Sequence, residues 1–367
     1  MSLTAHNGFR ASGRNIVLDS LRGLAIILVV IGHLPGWMEA IGINSCFGAL
    51  IRSWVYSFHM PLFFMLSGYV HGMRQRQAGT TDFLHGLRQN FIALYVPCMF
   101  FSFLQAFLNL IVFSRSNAAN VHIPELRHFM MIPFNGFLNY WFLCALFLVK
   151  SIHMAFESAG ANEHLHSFFW VSLFVLSWIA GDSMPRFLFL LCYNSLCFRI
   201  GYILSRREYI TETRNPGAFW GLVLLGSGIA FLLVYYSGGV AGFFTKAGSA
   251  LCMVLSLMVL FFALSIKSSF LSVCGLYSMV IYCIHNYAAM TFRIMYRISG
   301  VKAGSFPAFS YIMCFIAALF IPLAIVWLYK NVKCLRWVEC IFYPSRLLRV
   351  NHVQPDHADD RTDNLPQ

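Results

Sequence analysis

Ten runs of apolar residues, each close to the length that crosses a lipid bilayer, constrain what this chain can fold into. They fall at about 17–37, 52–73, 91–113, 138–156, 167–181, 185–204, 218–236, 243–266, 270–290 and 306–330, the fifth being the shortest. A helix rises about 1.5 Å per residue, so about 20 residues cross the hydrocarbon core. Without water, the backbone must satisfy its own hydrogen bonds, and only helices and closed barrels do so. Barrel strands alternate apolar and polar residues, whereas these runs are continuously apolar. The expected fold is all-α, a polytopic integral membrane helical bundle of about ten transmembrane helices.

Charge supports the same class. Charged residues make up 11% of the chain, less than half of the roughly 25% carried by soluble domains. A secreted enzyme, a cytosolic globule and a disordered chain are excluded. The net charge of +12 is not gathered in one patch but spread over short segments between the runs. Nucleic acid is therefore not an expected partner, whereas membrane lipid is. With the N-terminus inside, 17 of the 26 Lys and Arg residues fall at the inner ends of the runs and 8 at the outer ends, with Arg199 inside the sixth. This bias predicts both termini in the cytoplasm. The first run follows Arg10 and Arg14 like a signal peptide, but it is too long for one and lacks a small-residue cleavage site, so it reads as an uncleaved span. Residues 1–333 form the expected membrane domain. Residues 334–367 form a cytoplasmic tail, amphipathic at first and acidic later through Asp356, Asp359, Asp360 and Asp363. Most of the eleven cysteines fall inside apolar runs, and Cys46 alone lies in an expected outer loop, so no disulfide framework is expected.

Ionisable side chains inside spans are costly and mark candidate sites. The first run holds Asp19, Arg22 and His33. Eleven residues separate Arg22 from His33, close to three helical turns, so both face one way with a rise of roughly 16 Å between them. Arg22 sits near the inner mouth, where an arginine holds phosphate by paired hydrogen bonds. His33 lies deeper, where an imidazole can take a proton at neutral pH. A lone arginine there would as readily snorkel to the surface; the shared register favours function. The second run, read inward, places His59 at the depth of His33, followed by Ser67 and Gly68, which suit close helix packing first and a narrow tunnel second. The ninth puts His285 at the same outer level. No ligand spacing joins these three histidines to a metal, and none is expected. Asn139, Tyr140 and Trp141 open the fourth span at that level, as an interfacial aromatic belt first and a sugar-stacking surface second. No pair of buried carboxylates is present, so a histidine is the expected base.

Four stretches together resemble the acyltransferase-3 family of bacterial membrane proteins, near its fucose-4-O-acetylase-like and nodulation-type branch. They are Leu18-Asp19-Ser20-Leu21-Arg22-Gly23 with His33, Phe58-His59-Met60-Pro61-Leu62-Phe63-Phe64 running into Leu66-Ser67-Gly68-Tyr69, Trp141-Phe142-Leu143 with Ala145-Leu146-Phe147, and Ser278 with Ile281, Tyr282 and His285. The resemblance covers about residues 15–330. It implies an inner-membrane enzyme that moves acetyl from cytoplasmic acetyl-CoA to a hydroxyl of an envelope sugar, in O-antigen, capsule or exopolysaccharide, the acceptor being a carbohydrate or lipid-linked glycan. It assigns catalysis to His33 and the donor phosphates or pantetheine arm to Arg22. His59, His285 and Asp19 join the catalytic set, and Ser67, Arg74 and Arg88 the donor mouth. One departure stands out: the family carries a basic pair ahead of the proline of its third span, whereas Ala93 occupies the nearer slot before Pro97, leaving Arg88 on that approach. The alternative reading is a transporter or flippase of an envelope glycan intermediate. It is weakened by the lack of a strong internal repeat and by the near absence of buried carboxylates, Asp19 being the one embedded at the start of a span.

Overall fold

The computed structural model describes residues 15–79, 82–113, 124–206, 215–236, 242–300 and 306–345. Arg10, Arg14 and the acidic tail residues lie outside them. Within them every apolar run is helical and no strand occurs. The longer elements are α1 (Ile16–Glu39), α2 (Cys46–Ala78), α3 (Phe83–Asn90), α4 (Val96–Leu108), α5 (Leu126–Asn135), α6 (Trp141–Ser158), α7 (Glu163–Ala180) and α8 (Arg186–Arg206). They continue as α9 (Asn215–Tyr236), α10 (Gly242–Ala263), α11 (Ser269–Leu276), α12 (Ser278–Ile298), α13 (Pro307–Asn331) and the short α14 (Val338–Phe342).

Among the described residues seven helical stretches are long and apolar enough to cross a membrane, and eight if the bent α11–α12 pair counts as one span. That is fewer than the expected ten. The two runs outside that set are α2, whose 33 residues include Arg52, His59, His71, Arg74 and Arg76, and α9, whose side chains are described over Gly217–Leu233 alone. The weak fifth run is a full helix, α7. It is extended at its start by Asn162, whose side chain accepts from the His164 amide at 2.9 Å.

Glycines set the closest approaches. A Cβ on Gly68 would collide with the Phe198 carbonyl, and one on Gly201 with the Met65 carbonyl, so the α2–α8 crossing is made backbone to backbone. The α1–α11 contact works in the same way: Gly23 faces the Leu271 carbonyl and Gly275 the Asp19 carbonyl. Ser20 Oγ adds bonds to the amide and carbonyl of Ser268, at 3.2 and 3.4 Å. The buried core lies between these crossings and includes Ile26, Val30, Phe64, Phe142, Trp170, Phe198, Ile281 and Leu319.

The ninth run is not the continuous span expected. It breaks at Tyr277, where α11 and α12 meet at 82°. No proline marks the break. Its cause is tertiary: Gly275 is pressed against α1, and Tyr277 is tied to Lys330 of α13 by a hydrogen bond to its hydroxyl. Near Pro97 the chain absorbs the missing backbone donor in a π-helical turn over Phe91–Tyr95. Beyond α13, Phe342 is buried and stacks on Phe101 at 5.3 Å, so the start of the tail packs on the bundle.

Candidate active site

Two cavities form on the face of α1 that carries both Arg22 and His33. The larger, about 530 Å³, is lined by His33, Tyr56, His59, Asn139, Trp141 and Tyr282 among others, with Asp182, Arg186 and Lys246 at its charged edge. The smaller, about 170 Å³, is lined by Arg22, Phe63, Ser67, Leu94, Phe142, Ser278 and Tyr282. Tyr282 belongs to both. Its ring lies 5.7 Å from that of Phe142, which lies 5.7 Å from Phe63, and its hydroxyl donates to the Asn139 carbonyl. An aromatic wall therefore separates the two chambers.

Three histidines from three helices meet at this chamber, His33 and His59 in its lining and His285 buried against His33. The His33 and His285 rings are 5.4 Å apart, and His33 stacks on Trp37 at 5.7 Å. His33 Nδ1 lies 2.8 Å from Tyr56 Oη, while Tyr56 and His59 rings are 5.0 Å apart. His59 Nδ1–H donates to the Val55 carbonyl at 2.8 Å. His285 Nδ1–H donates to the carbonyls of Tyr282 and Ile281 at 2.7 and 3.0 Å. A carbonyl only accepts, so these bonds fix the tautomer of His59 and His285 and leave each Nε2 with its lone pair. Pro61, two residues after His59, has no amide to offer the Ser57 carbonyl one turn earlier. The expected meeting of three histidines is thus present. No carboxylate side chain accepts a hydrogen bond from any of the three among the described residues.

On its far side His33 borders a third cavity of about 220 Å³ whose lining includes Gln105, Asn109, Asn286 and Arg293. Its amides are linked: Trp37 Nε1 donates to Asn286 Oδ1 at 3.2 Å and Gln105 donates to Asn109 at 2.6 Å. Asn139 and Trp141 face cavities here. Tyr140 is buried, with its hydroxyl donating to the Cys283 carbonyl at 2.9 Å.

At the Arg22 chamber, Asp19 Oδ1 lies 3.7 Å from the guanidinium one turn later. Ser67 and Ser278 line the same chamber. Ser278 is the first residue of α12, so the break at Tyr277 turns the positive end of a 21-residue helix toward Arg22. The charges of Arg22, Arg74 and Lys150 act on one another, the last from α6. Lys150 did not stand out in the sequence, being a single basic residue in an apolar helix whose partners lie about 80 and 130 positions away. Arg88 is exposed on α3 and lines neither chamber.

Comparison with known protein families matches residues 15–329 to the family described as an acyltransferase domain. The chain belongs to this family, and with its apolar helices it is a multi-pass membrane protein of the acyltransferase class. It is similar to Nodulation protein NolL of Sinorhizobium fredii, 28% identical over 153 residues, which is 40% of this chain and 38% of that protein. It is also similar to Nodulation protein NolL of Mesorhizobium japonicum, 31% identical over 90 residues, which is 24% of this chain and 23% of that protein. The chain thus spans well under half the length of these relatives. No solved structure matches it.

Proposed function

We propose that this protein is an inner-membrane O-acetyltransferase, with both termini cytoplasmic, that moves acetyl from acetyl-CoA to a hydroxyl of an envelope carbohydrate or lipid-linked glycan. The observation that carries the reading is the pair of chambers on one face of α1, cationic at Arg22 and imidazole-lined at His33, sharing Tyr282 as their wall. A long donor with phosphates at one end and a thioester at the other suits that layout. Arg22, with Arg74 and Lys150 nearby, would hold the phosphates, and Asp19 would orient the guanidinium. Ser67, Ser278 and the start of α12 would bind the arm.

In the active tautomer His33 Nδ1–H donates to Tyr56 Oη, and Nε2 takes the proton of the sugar hydroxyl. The oxygen attacks the thioester carbon, the C–S bond breaks, and the proton passes from imidazolium to the departing thiolate as CoA-SH. His59 would position the acceptor through its Nε2 lone pair, and His285, buried against His33, would hold that ring in place. Arg186 and Lys246 at the chamber edge suit an acceptor that still carries phosphate. The test is acetyl released by mild alkali from surface polysaccharide, read by mass spectrometry, in cells making wild type or His33→Ala at equal level. Loss of one acetyl group in the variant is expected; equal acetylation would overturn the assignment and favour transport.

A further inference from the structure

A second group of histidines lies beside the Arg74–Lys150 region and has no part in the proposed transfer. His71 of α2, His153 and Glu157 of α6 each offer one ligand atom, all within 4.8 Å of one another. We propose that these three side chains hold a divalent transition-metal ion, with zinc the best fit, and that the ion fastens α2 to α6.

The donor set is the first argument. Two imidazoles and a carboxylate suit zinc, whose ligands stand at about 2.0–2.2 Å, hence about 3.3 Å from each other around a tetrahedron. His71 Nε2 is 3.3 Å from Glu157 Oε2, and His153 Nε2 is 3.1 Å from Oε1. His153 and Glu157 are four residues apart on one rigid helix, so their side chains emerge on one face.

The second argument is what these atoms lack. His153 is fully buried, yet neither ring nitrogen has a hydrogen-bond partner among the described residues, and Glu157 Oε1 has none either, despite the 3.1 Å approach. His166 of α7, 4% exposed with its ring 4.4 Å from that of His153, also has an unpartnered Nε2. Buried polar atoms are nearly always paired, and a cation between His153 Nε2 and Glu157 Oε1 would satisfy those two atoms at once. The other carboxylate oxygen is already held, since Gln75 Nε2 donates to Oε2 at 2.5 Å and Tyr202 donates to Gln75 at 3.0 Å. Such outer bonds orient a metal ligand. Arg199 makes its side-chain contacts with Glu163 at 3.7 Å and with Ser167, not with Glu157.

The third argument is mechanical. α2 packs chiefly on α8 and touches α6 sparsely, so an ion shared by His71 and His153 would join two helices that otherwise have little contact. The side chains of His71 and Glu157 are 14% exposed, which gives the ion a way in.

The test uses the full chain with a histidine-free tag, purified in detergent without chelators, and elemental analysis by plasma mass spectrometry. About one zinc per chain is expected, lost on dialysis against EDTA and restored by ZnCl₂ with a rise in Tm. Glu157→Gln, which keeps the shape, and His153→Ala should each weaken zinc binding at least tenfold, while His85→Ala on exposed α3 keeps it. Absence of metal both as purified and after titration with ZnCl₂ would overturn the proposal, as would full retention in Glu157→Gln. If His153→Ala does not fold, Glu157→Gln alone decides. None of these readouts depends on acyl transfer.

Discussion

The molecule builds two clusters of three histidines, and one side chain separates their chemistry. Around His33, each imidazole is anchored by a backbone carbonyl or a tyrosine, with no carboxylate bonded to any of them among the described residues. Around His153, Glu157 stands between His71 and His153 and carries a formal charge. A histidine fixed by a neutral carbonyl keeps a lone pair for exchange with a substrate. Two histidines facing a carboxylate form a cage with a net negative charge, which suits a metal cation. The residue type alone is uninformative; its nearest oxygen decides the role.

Variants that move one cluster without the other test this contrast. His33→Ala should cost about 10²–10⁴-fold in transfer rate, the range for a lost general base, and leave bound zinc at the wild-type level; a parallel loss of zinc would merge the clusters. Arg22→Ala should raise the KM for acetyl-CoA about tenfold or more, since a hydrogen bond to a charged group is worth about 1.5–3 kcal/mol; an unchanged KM would leave Arg22 as an anchor of α1. Gly275→Ala, which drives a Cβ into the Asp19 carbonyl, should destabilise by about 1–3 kcal/mol, as overpacking does. It should also disturb the donor chamber before the zinc site, measurable as a lower Tm with zinc retained. Lys150→Ala should give the smallest change, a few-fold rise in the same KM, because Lys150 lines neither chamber and acts only through its charge beside Arg22 and Arg74.

Much of the first cluster is legible in the sequence, because it rests on helical periodicity. Arg22 and His33 share a face through spacing alone, and reading the second and ninth runs in alternate directions brings His59 and His285 to the same level. The second cluster depends on packing across sequence: His71 meets Glu157 86 positions later, and only the four-residue step from His153 to Glu157 hints at a joint role. The break at Tyr277 is equally silent, since contact with α1 and α13 produces it rather than a proline. Lys150 is hidden for the same reason, and Ala93, where the family carries a basic residue, gives no hint that α6 brings a cation to that region. α2 does not qualify as a span because polar residues along it, His59 and His71 among them, lower its apolar character.

The wall of Tyr282, Phe142 and Phe63 bears on the electrical tightness of the membrane. Polar hollows that approach each other from opposite ends of one helix would, if joined, offer protons and small ions a leak down the transmembrane voltage. Three rings in edge-on and tilted contact stand between the hollows, so the bundle can handle a charged donor while the bilayer around it stays insulated.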